Sequence, residues 1–420
     1  MFSLLDMLSR QDRWEKFYEY KCSLACPKQF TRELRSFIDN REYLPVCEKI
    51  SAGAPFSLPR RAEISKLDTG KKRVIYIYPK PENTVLKLLT HLLLRKYDGL
   101  FSDGLYSFRP GRTAQMAFRR LARRPGIGGM WCYKADISNY FNSVDVDKLL
   151  PMLKNVTGED AALFSFLSSL LQEERVLDSG KIITEKKGIM AGTPLSAFYA
   201  NLFLRELDAS FEERNIIYLR YSDDIILFAE TKEQAERYAA EVKESLSALG
   251  LSVNPDKEIL TAPGEKWTFL GLSHENGEID IAEASVMKLK AKMRRKTRAL
   301  KRWYERREIP SEKAAGAFIR IFERKLYEAG SDNELSWARW YFPVITTDRS
   351  LKEIDSYAQD CLRYLISGKR TKGRYNVRYE QLQALGYHSC VNRYYKSVLA
   401  RQGRAPAPSS AEPYNVREER

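Results

Sequence analysis

The chain has 420 residues, 44% of them hydrophobic, enough to bury a sizeable core in one multi-lobed enzyme or in two to three ordinary domains. Its 70 Lys and Arg against 55 Asp and Glu leave a formal charge of +15, a surplus that points to an anionic partner such as nucleic acid. No apolar run reaches the ~18 residues of a membrane span, the first residues lack a leader pattern, and Cys22 and Cys26 have no second pair to complete a zinc site; a membrane or secreted protein is not expected, and the cysteines read as free thiols in a cytoplasm. His91, His274 and His388 are isolated and are assigned no chemistry.

In chain order, residues 1–50 place apolar residues such as Phe30, Leu34, Phe37 and Ile38 at helical spacing, which predicts two or three helices. Residues 51–60 are a Pro/Gly connector. The run Val74–Tyr78 predicts a strand, with Leu67–Lys72 as the basic turn before it. A helix is predicted over 85–98 from Val85, Leu88, Leu89, Leu92 and Leu93, a strand running into a helix at Trp131–Ile137, and a further helix at 160–172. From Ile216 to Glu230 two apolar runs flank Ser222-Asp223-Asp224, the pattern of a hairpin, at whose turn Asp tolerates the geometry that Gly and Asn more often supply. Residues 231–249 read as an amphipathic helix, with Thr231 as its cap and Gly250 at its end. Trp267–Leu272 reads as one short strand, residues 283–307 as a long basic helix and 311–400 as mostly helical. The tail from about 402 has the composition of disorder, and no internal repeat is found.

The chemistry concentrates in carboxylates. Asp136 ends a predicted strand, and Asp223 and Asp224 sit together at a hairpin tip. At ~4 Å like charges repel by roughly 4 kcal/mol at an effective dielectric of 20. A cation relieves that conflict, and an all-oxygen donor set suits Mg²⁺ or Mn²⁺. Two such ions lower the pKa of an attacking hydroxyl and hold a leaving pyrophosphate, the positioning that phosphoryl transfer asks for. An isolated Asp-Asp pair more often marks an exposed acidic turn. Here it follows Tyr221, lies between apolar strands and has a third Asp at a strand end, in a basic protein.

At these residues the chain resembles reverse transcriptases of the bacterial, group II intron-like kind, over roughly residues 60–275. Tyr221-Ser222-Asp223-Asp224 looks like the family's fifth motif, and Ala135–Phe141 is similar to the third, whose Asp is a metal ligand. Ser107–Arg112, Gly188–Asn201, Gly250–Lys257 and Phe269–Leu272 resemble the second, fourth, sixth and seventh motifs, all in the family's order. The resemblance implies an α/β (α+β) right-hand polymerase fold, with fingers and palm around an antiparallel sheet and a helical thumb. It implies a helical extension over 1–60, fingers and palm over 61–280, a thumb helix over 281–310, a helical thumb or RNA-binding region over 311–400 and a disordered tail over 401–420. Asp136, Asp223 and Asp224, aided by the backbone of Ile137, would hold two Mg²⁺ ions, with Mn²⁺ as a substitute. Lys66, Arg73, Gly192 and Lys257 would serve the incoming dNTP, Lys71 and Lys72 being rivals in the same basic turn. Phe141 would be a steric gate that leaves no room for a ribose 2′-hydroxyl, or else a core residue of its helix.

The sequence departs from the family in its fourth motif, where Ala191 stands in place of Gln and Ala197 in place of Pro. That pattern looks more like the solitary enzymes of antiviral defence, and leans toward the class 2 defence-associated group. The partners implied are an RNA template, structured and noncoding, and the nascent cDNA, with the protein a monomer on RNA in a bacterial cytoplasm. Nine of the fifteen residues Lys288–Arg302 are basic, as in the family's duplex-gripping thumb, and Trp303 and Tyr304 either pack its core or stack on bases. Lys369–Tyr375 either binds RNA or is a solvated loop. Rival readings are an intron maturase, an RNA-binding scaffold with an inactive polymerase fold, and an RNA-dependent RNA polymerase, the last opposed by Phe141.

Overall fold

The computed structural model describes residues 3–24, 26, 28–65, 72–328 and 336–401. Lys66, Lys71 and nearly all of the expected basic turn, together with the tail from 402, lie outside the described residues. The chain folds as two compact units, one of Met1–Leu24 and Lys28–Glu265, the other from Lys266 onward with Ala25–Pro27.

The first unit opens with α1 (Gln11–Ser23), α2 (Lys28–Asp39) and α3 (Leu44–Ser51), followed by β1 (Arg60–Ser65), β2 (Lys72–Ile77) and α4 (Lys80–Lys96). Helix α4 begins five residues before its apolar stripe, because Pro81 in its first turn lacks only an N–H that has no partner there. Next come α5 (Ala114–Ala122), β3 (Trp131–Asp136), α6 (Tyr140–Ser143), α7 (Val146–Thr157), α8 (Ala161–Gln172) and the hairpin β4 (Arg175–Asp178) and β5 (Lys181–Thr184). The unit closes with α9 (Ser196–Phe203), α10 (Arg205–Glu213), β6 (Ile217–Tyr221), β7 (Asp224–Ala229), α11 (Lys232–Ala248) and β8 (Ile259–Thr261). Helix α11 is capped as expected, Thr231 accepting from the N–H of Gln234, and Gly250 adopts a positive φ just past its end.

Two four-stranded sheets organise this unit. One runs β2-β1-β4-β5 and the other β6-β7-β3-β8, the latter antiparallel throughout. Strand β7 is buried along Ile225–Ala229, which is why it reads as a continuous apolar run rather than an alternating one. The core continues through Leu88, Leu89, Phe198 and Phe211 to the N-terminal helices, where Trp14 and Tyr43 stack at 4.9 Å.

The second unit starts with a three-stranded antiparallel sheet, β9 (Trp267–Phe269), β10 (Leu272–Glu275) and β11 (Glu278–Ile281). The strand expected at Trp267–Leu272 thus stops at Phe269, and Leu272 already opens the next strand. Leu270 and Gly271 both adopt positive φ and turn the chain, a two-residue turn whose twist suits an antiparallel pair. Helices α12 (Glu283–Arg307), α13 (Ser311–Tyr327), α14 (Trp337–Tyr341), α15 (Arg349–Ser367), α16 (Tyr379–Ala384) and α17 (Cys390–Arg401) follow, with Val286, Leu289, Phe318, Ile354 and Leu362 in their core. Buried Asp355 ties α15 to the start of α17, accepting from the N–H groups of Cys390 (2.8 Å) and Val391 (3.1 Å) and from Tyr387 Oη (2.8 Å). Among the described residues no helix is long and apolar enough to cross a membrane.

Candidate active site

Strand β3 ends on Asp136 and strand β7 begins on Asp224, and these two residues are direct partners in the antiparallel ladder. Directly opposite side chains leave the same face of a sheet, ~5 Å apart at Cβ, so two carboxylates face one another there. The turn between β6 and β7 is Ser222-Asp223, with Ser222 at φ 60°. The Ile137 N–H donates to the Asp223 carbonyl at 2.9 Å, which fixes the third Asp to the end of β3.

The electrostatics follow from this register. Burial, then the neighbouring Asp223, raises the Asp224 carboxyl to about 6, with Asp136 adding to the effect and Lys134 opposing it. Burial and then Asp136 raise Asp223, opposed by Lys257 and Arg73. Asp136 has a different neighbour: its Oδ2 accepts from Lys257 Nζ at 2.7 Å. Lys257 stands in the short turn Pro255–Lys257, and the N–H of Asn254 donates to the Asp136 carbonyl at 2.7 Å, so the lysine is tethered to the strand it serves. Burial alone would lower the Lys257 ammonium, but its bond to Asp136 raises it overall.

Among the described residues no group of three or more His, Cys, Asp or Glu side chains is already arranged to hold a metal ion. The donor chemistry nevertheless fits a hard divalent cation. Three carboxylates share one end of the sheet, and two of them are held above the usual carboxylate range by burial and mutual repulsion, the signature of a site short of positive charge.

Phe141 lies just after this strand end, in α6, where the ring of its neighbour Tyr140 meets it at 5.6 Å and 76° and two groups from other elements approach it. The Arg73 guanidinium sits 5.9 Å from its ring centroid, and the Phe108 ring meets it edge-on at 6.4 Å and 85°. Arg73 is exposed on β2 and acts electrostatically on Asp223, so the structure brings Arg73, Phe141 and the aspartates into one neighbourhood. Gly192 belongs to the loop that binds these parts together. The Tyr76 N–H donates to the Ala191 carbonyl at 2.8 Å, and the Ile189 N–H to the Phe141 carbonyl at 2.9 Å. A Cβ at Gly192 would lie 3.0 Å from Ile75 Cβ and 3.2 Å from the Tyr76 carbonyl, and its φ is 99°. Lys66, outside the described residues, is given no place here.

Sequence reasoning passed over one further group. Arg220, fully buried on β6, pairs with fully buried Asp208 of α10 through Nε (2.7 Å) and Nη2 (2.5 Å), while Tyr218 Oη donates to the same carboxylate at 2.8 Å. Arg220 Nη1 also donates to the Ser222 carbonyl at 3.1 Å, so this pair braces the turn that presents Asp223. A signal was available: an Arg inside an otherwise apolar strand has to find a buried partner.

In the second unit, α12 buries Val286, Leu289, Met293, Thr297 and Leu300 along one side. Exposed Lys288, Arg295, Arg298, Arg302 and Arg306 fall on the opposite side at helical spacing, while Trp303 and Tyr304 are half-buried. In the segment Lys369–Tyr375, Arg374 pairs with Asp360 at 3.0 Å and donates to Tyr375 Oη at 2.9 Å, whereas Lys369, Arg370 and Lys372 are exposed.

A family model described as reverse transcriptase (RNA-dependent DNA polymerase) matches residues 64–274. The chain is 25% identical over 164 residues to the group II intron-encoded protein LtrA of Lactococcus lactis subsp. cremoris, a stretch that covers 39% of this chain and 27% of that protein. It is 23% identical over 173 residues to the retron Ec86 reverse transcriptase of Escherichia coli, covering 40% of this chain and 50% of that one. Among solved structures, apo telomerase from Candida tropicalis aligns at a TM-score of 0.47 and 14% identity, covering 79% of this chain and 63% of that one. The chain thus spans half or less of the length of these two curated relatives.

Proposed function

Because the chain belongs to the reverse transcriptase family, we propose that it is an RNA-directed DNA polymerase whose reacting centre is the end of the sheet that carries Asp136, Asp223 and Asp224. The observation that carries this reading is the register of Asp136 against Asp224, with Asp223 stitched beside them. Like charges directly opposite each other destabilise a sheet, and a basic chain that keeps three acids there keeps them for a cation. Mg²⁺ or Mn²⁺ ions, held by the three carboxylates with the backbone at Ile137, would supply the charge neutralisation that displacement at a dNTP α-phosphate needs.

The remaining roles belong to the chain's own residues. Arg73 meets triphosphate charge, as a guanidinium does well through its fork of donors, and Lys66 is assigned the same task. Lys257 holds positive charge against Asp136 at the same end of the sheet. Phe141 lies under the sugar as the gate against a 2′-hydroxyl, and Gly192 lets the 187–193 loop lie close against β2. Residues 61–280 serve as fingers and palm, 281–310 as the thumb helix and 311–400 as a region for RNA, with α12 offering a basic face to phosphates.

The template we propose is a structured noncoding RNA, copied into cDNA in defence against phage. Ala191 and Ala197, in place of the Gln and Pro usual in the fourth motif, support that reading. A second reading, an intron maturase, is favoured by the likeness to the intron-encoded LtrA.

The test is primer extension by the purified chain on an RNA template with dNTPs and Mg²⁺, beside Asp223→Asn/Asp224→Asn. DNA synthesis that falls to background in the variant sustains the proposal. Synthesis that persists in the variant, or its absence on every RNA tried, overturns it. Sequencing the RNA and DNA that co-purify from the native locus separates the two readings: one discrete RNA with its complement supports a dedicated template, and spliced intron RNA supports a maturase.

A further inference from the structure

Phe108 stands in a conformation that its own residue type opposes. Its φ is 60°, in the left-handed region that a bulky side chain avoids, and the residue is 41% exposed. The backbone is held there from both sides. Ser107, fully buried, bonds to Asn201 through its hydroxyl (3.3 Å) and its carbonyl (2.9 Å). Arg109, 7% exposed, grips the Asp98 carboxylate at 2.8 and 3.1 Å and the Ser102 carbonyl at 2.6 Å. A residue strained in this way and left half in water adds little to stability. Glycine would adopt the same backbone without strain. Strain kept by its surroundings points to a task for the side chain.

The ring's contact identifies the task. Phe108 meets Phe141 edge-on at 6.4 Å and 85°, while Arg73 covers Phe141 at 5.9 Å. The Phe141 backbone is already fixed, since its carbonyl accepts from Ile189 at 2.9 Å and abuts Gly188, where a Cβ would come within 2.4 Å. What remains is the tilt of the Phe141 ring, bounded by Tyr140 at 5.6 Å from its own helix, by Arg73 above it and by Phe108, whose ring comes from a separate loop. We propose that Phe108 is a positioning residue for sugar selection: it holds the Phe141 ring in the orientation that excludes a ribose 2′-hydroxyl, so that discrimination between dNTP and NTP depends on both rings. The inference rests on Phe141 being the gate.

The experiment compares kcat/KM for dTTP and UTP, and the melting temperature, in the parent chain, Phe108→Gly, Phe108→Tyr, Phe141→Ala and the double variant Phe108→Gly/Phe141→Ala. Phe108→Gly should melt within a few degrees of the parent, relief of the positive φ offsetting part of the burial lost with the ring, yet lose at least ~tenfold in discrimination through a gain in UTP use. Phe108→Tyr, which keeps the ring edge, should retain the parent ratio. In the double variant, loss of Phe108 should add nothing to the loss of Phe141, since it acts through that ring. An unchanged ratio in Phe108→Gly beside a relaxed Phe141→Ala overturns the proposal and leaves the gate standing. So does a fall in melting temperature with equal losses for both nucleotides, which would make the ring a structural one. Unaltered discrimination in Phe141→Ala removes the gate reading itself, and the proposal with it.

Discussion

Asp224 shows how one residue carries the electrostatic state of the whole site. Its ordinary carboxyl value is 3.8, and burial with Asp223 beside it raises that to about 6 in the folded chain. The folded state therefore holds the proton more tightly than the unfolded state. By linkage, the stability conferred by this group is complete below 3.8 and is lost as pH rises through about 6. Asp223, raised for the same kinds of reason, works in the same direction. Asp224→Asn removes the penalty, so in metal-free buffer it should raise stability near pH ~7.5 by up to about 3 kcal/mol, at about 1.4 kcal/mol per pH unit, and change it little near pH ~4. Denaturant titrations at the two pH values measure this. Mg²⁺ should narrow the gap between variant and parent at the higher pH by stabilising only the parent. A gain from Asp224→Asn that is equal at both pH values would show that neither burial nor Asp223 raises this group in the folded chain. That the three aspartates would meet at one end of a sheet was legible in the sequence, because two of them stand at a hairpin tip between apolar runs and the third at a strand end. Arg220 and Asp208 were not paired in advance, because one lies on a strand and the other on a helix, and only the packing of α10 against β6 brings them together.

At the scale of elements, the loop around Gly192 sets the distance between α6, which carries Phe141, and β2, which carries Arg73. Asn142 reinforces the link, its Nδ2 donating to the Val74 carbonyl and its Oδ1 accepting from the Ala191 N–H, both at 3.4 Å. A methyl group at Gly192 would press on Ile75 and on the Tyr76 carbonyl while requiring an alanine to hold φ 99°. Gly192→Ala should therefore shift β2, cost ~1–3 kcal/mol of stability and raise the KM for dNTP several-fold, with a smaller effect on kcat. Steady-state kinetics with a saturating primer–template checks this, and an unchanged KM would mean that the position of β2 does not govern nucleotide binding. Long helices were readable, α11 from its amphipathic pattern with Thr231 and Gly250 at its ends and α12 from its length and basic run. The short strands were harder to read. Ser179 and Gly180 turn β4 into β5, and Leu270 and Gly271 turn β9 into β10, each pair at positive φ. A Leu in such a turn sends no composition signal, so Trp267–Leu272 read as one strand. Strands β1, β4, β5, β8 and β11 went unread, since runs of three to six residues carry too few positions for an alternating pattern to stand out.

At the scale of the whole molecule, the formal charge of +15 is distributed rather than uniform, and α12 shows how. Counting basic residues along this helix leaves open how many can meet one partner, because they occur at nearly every turn. Burial decides the matter: Val286, Leu289, Met293 and Leu300 turn one side inward, leaving Lys288, Arg298, Arg302 and Arg306 on the outer side within reach of a single nucleic-acid backbone. Many other basic groups are already engaged, as Lys290 is by Glu353 and Lys301 by Glu305. Charge held by internal carboxylates displaces few counterions on binding, whereas an exposed guanidinium that meets a phosphate releases about 0.9 of an ion from duplex DNA. Arg298→Gln/Arg302→Gln should therefore weaken binding to a template–primer duplex and flatten the dependence of log Kd on log salt by up to ~1.8, at ~0.9 per lost contact. The KM for dNTP should stay as in the parent, because the change lies in how the duplex is held and not in how the nucleotide is selected. Fluorescence anisotropy of a labelled duplex across a salt series reads the slope directly. A weaker affinity with an unchanged slope would mean that the two arginines support the fold of α12 and do not touch phosphate, and the same Kd at every salt concentration would make this face a solvated one.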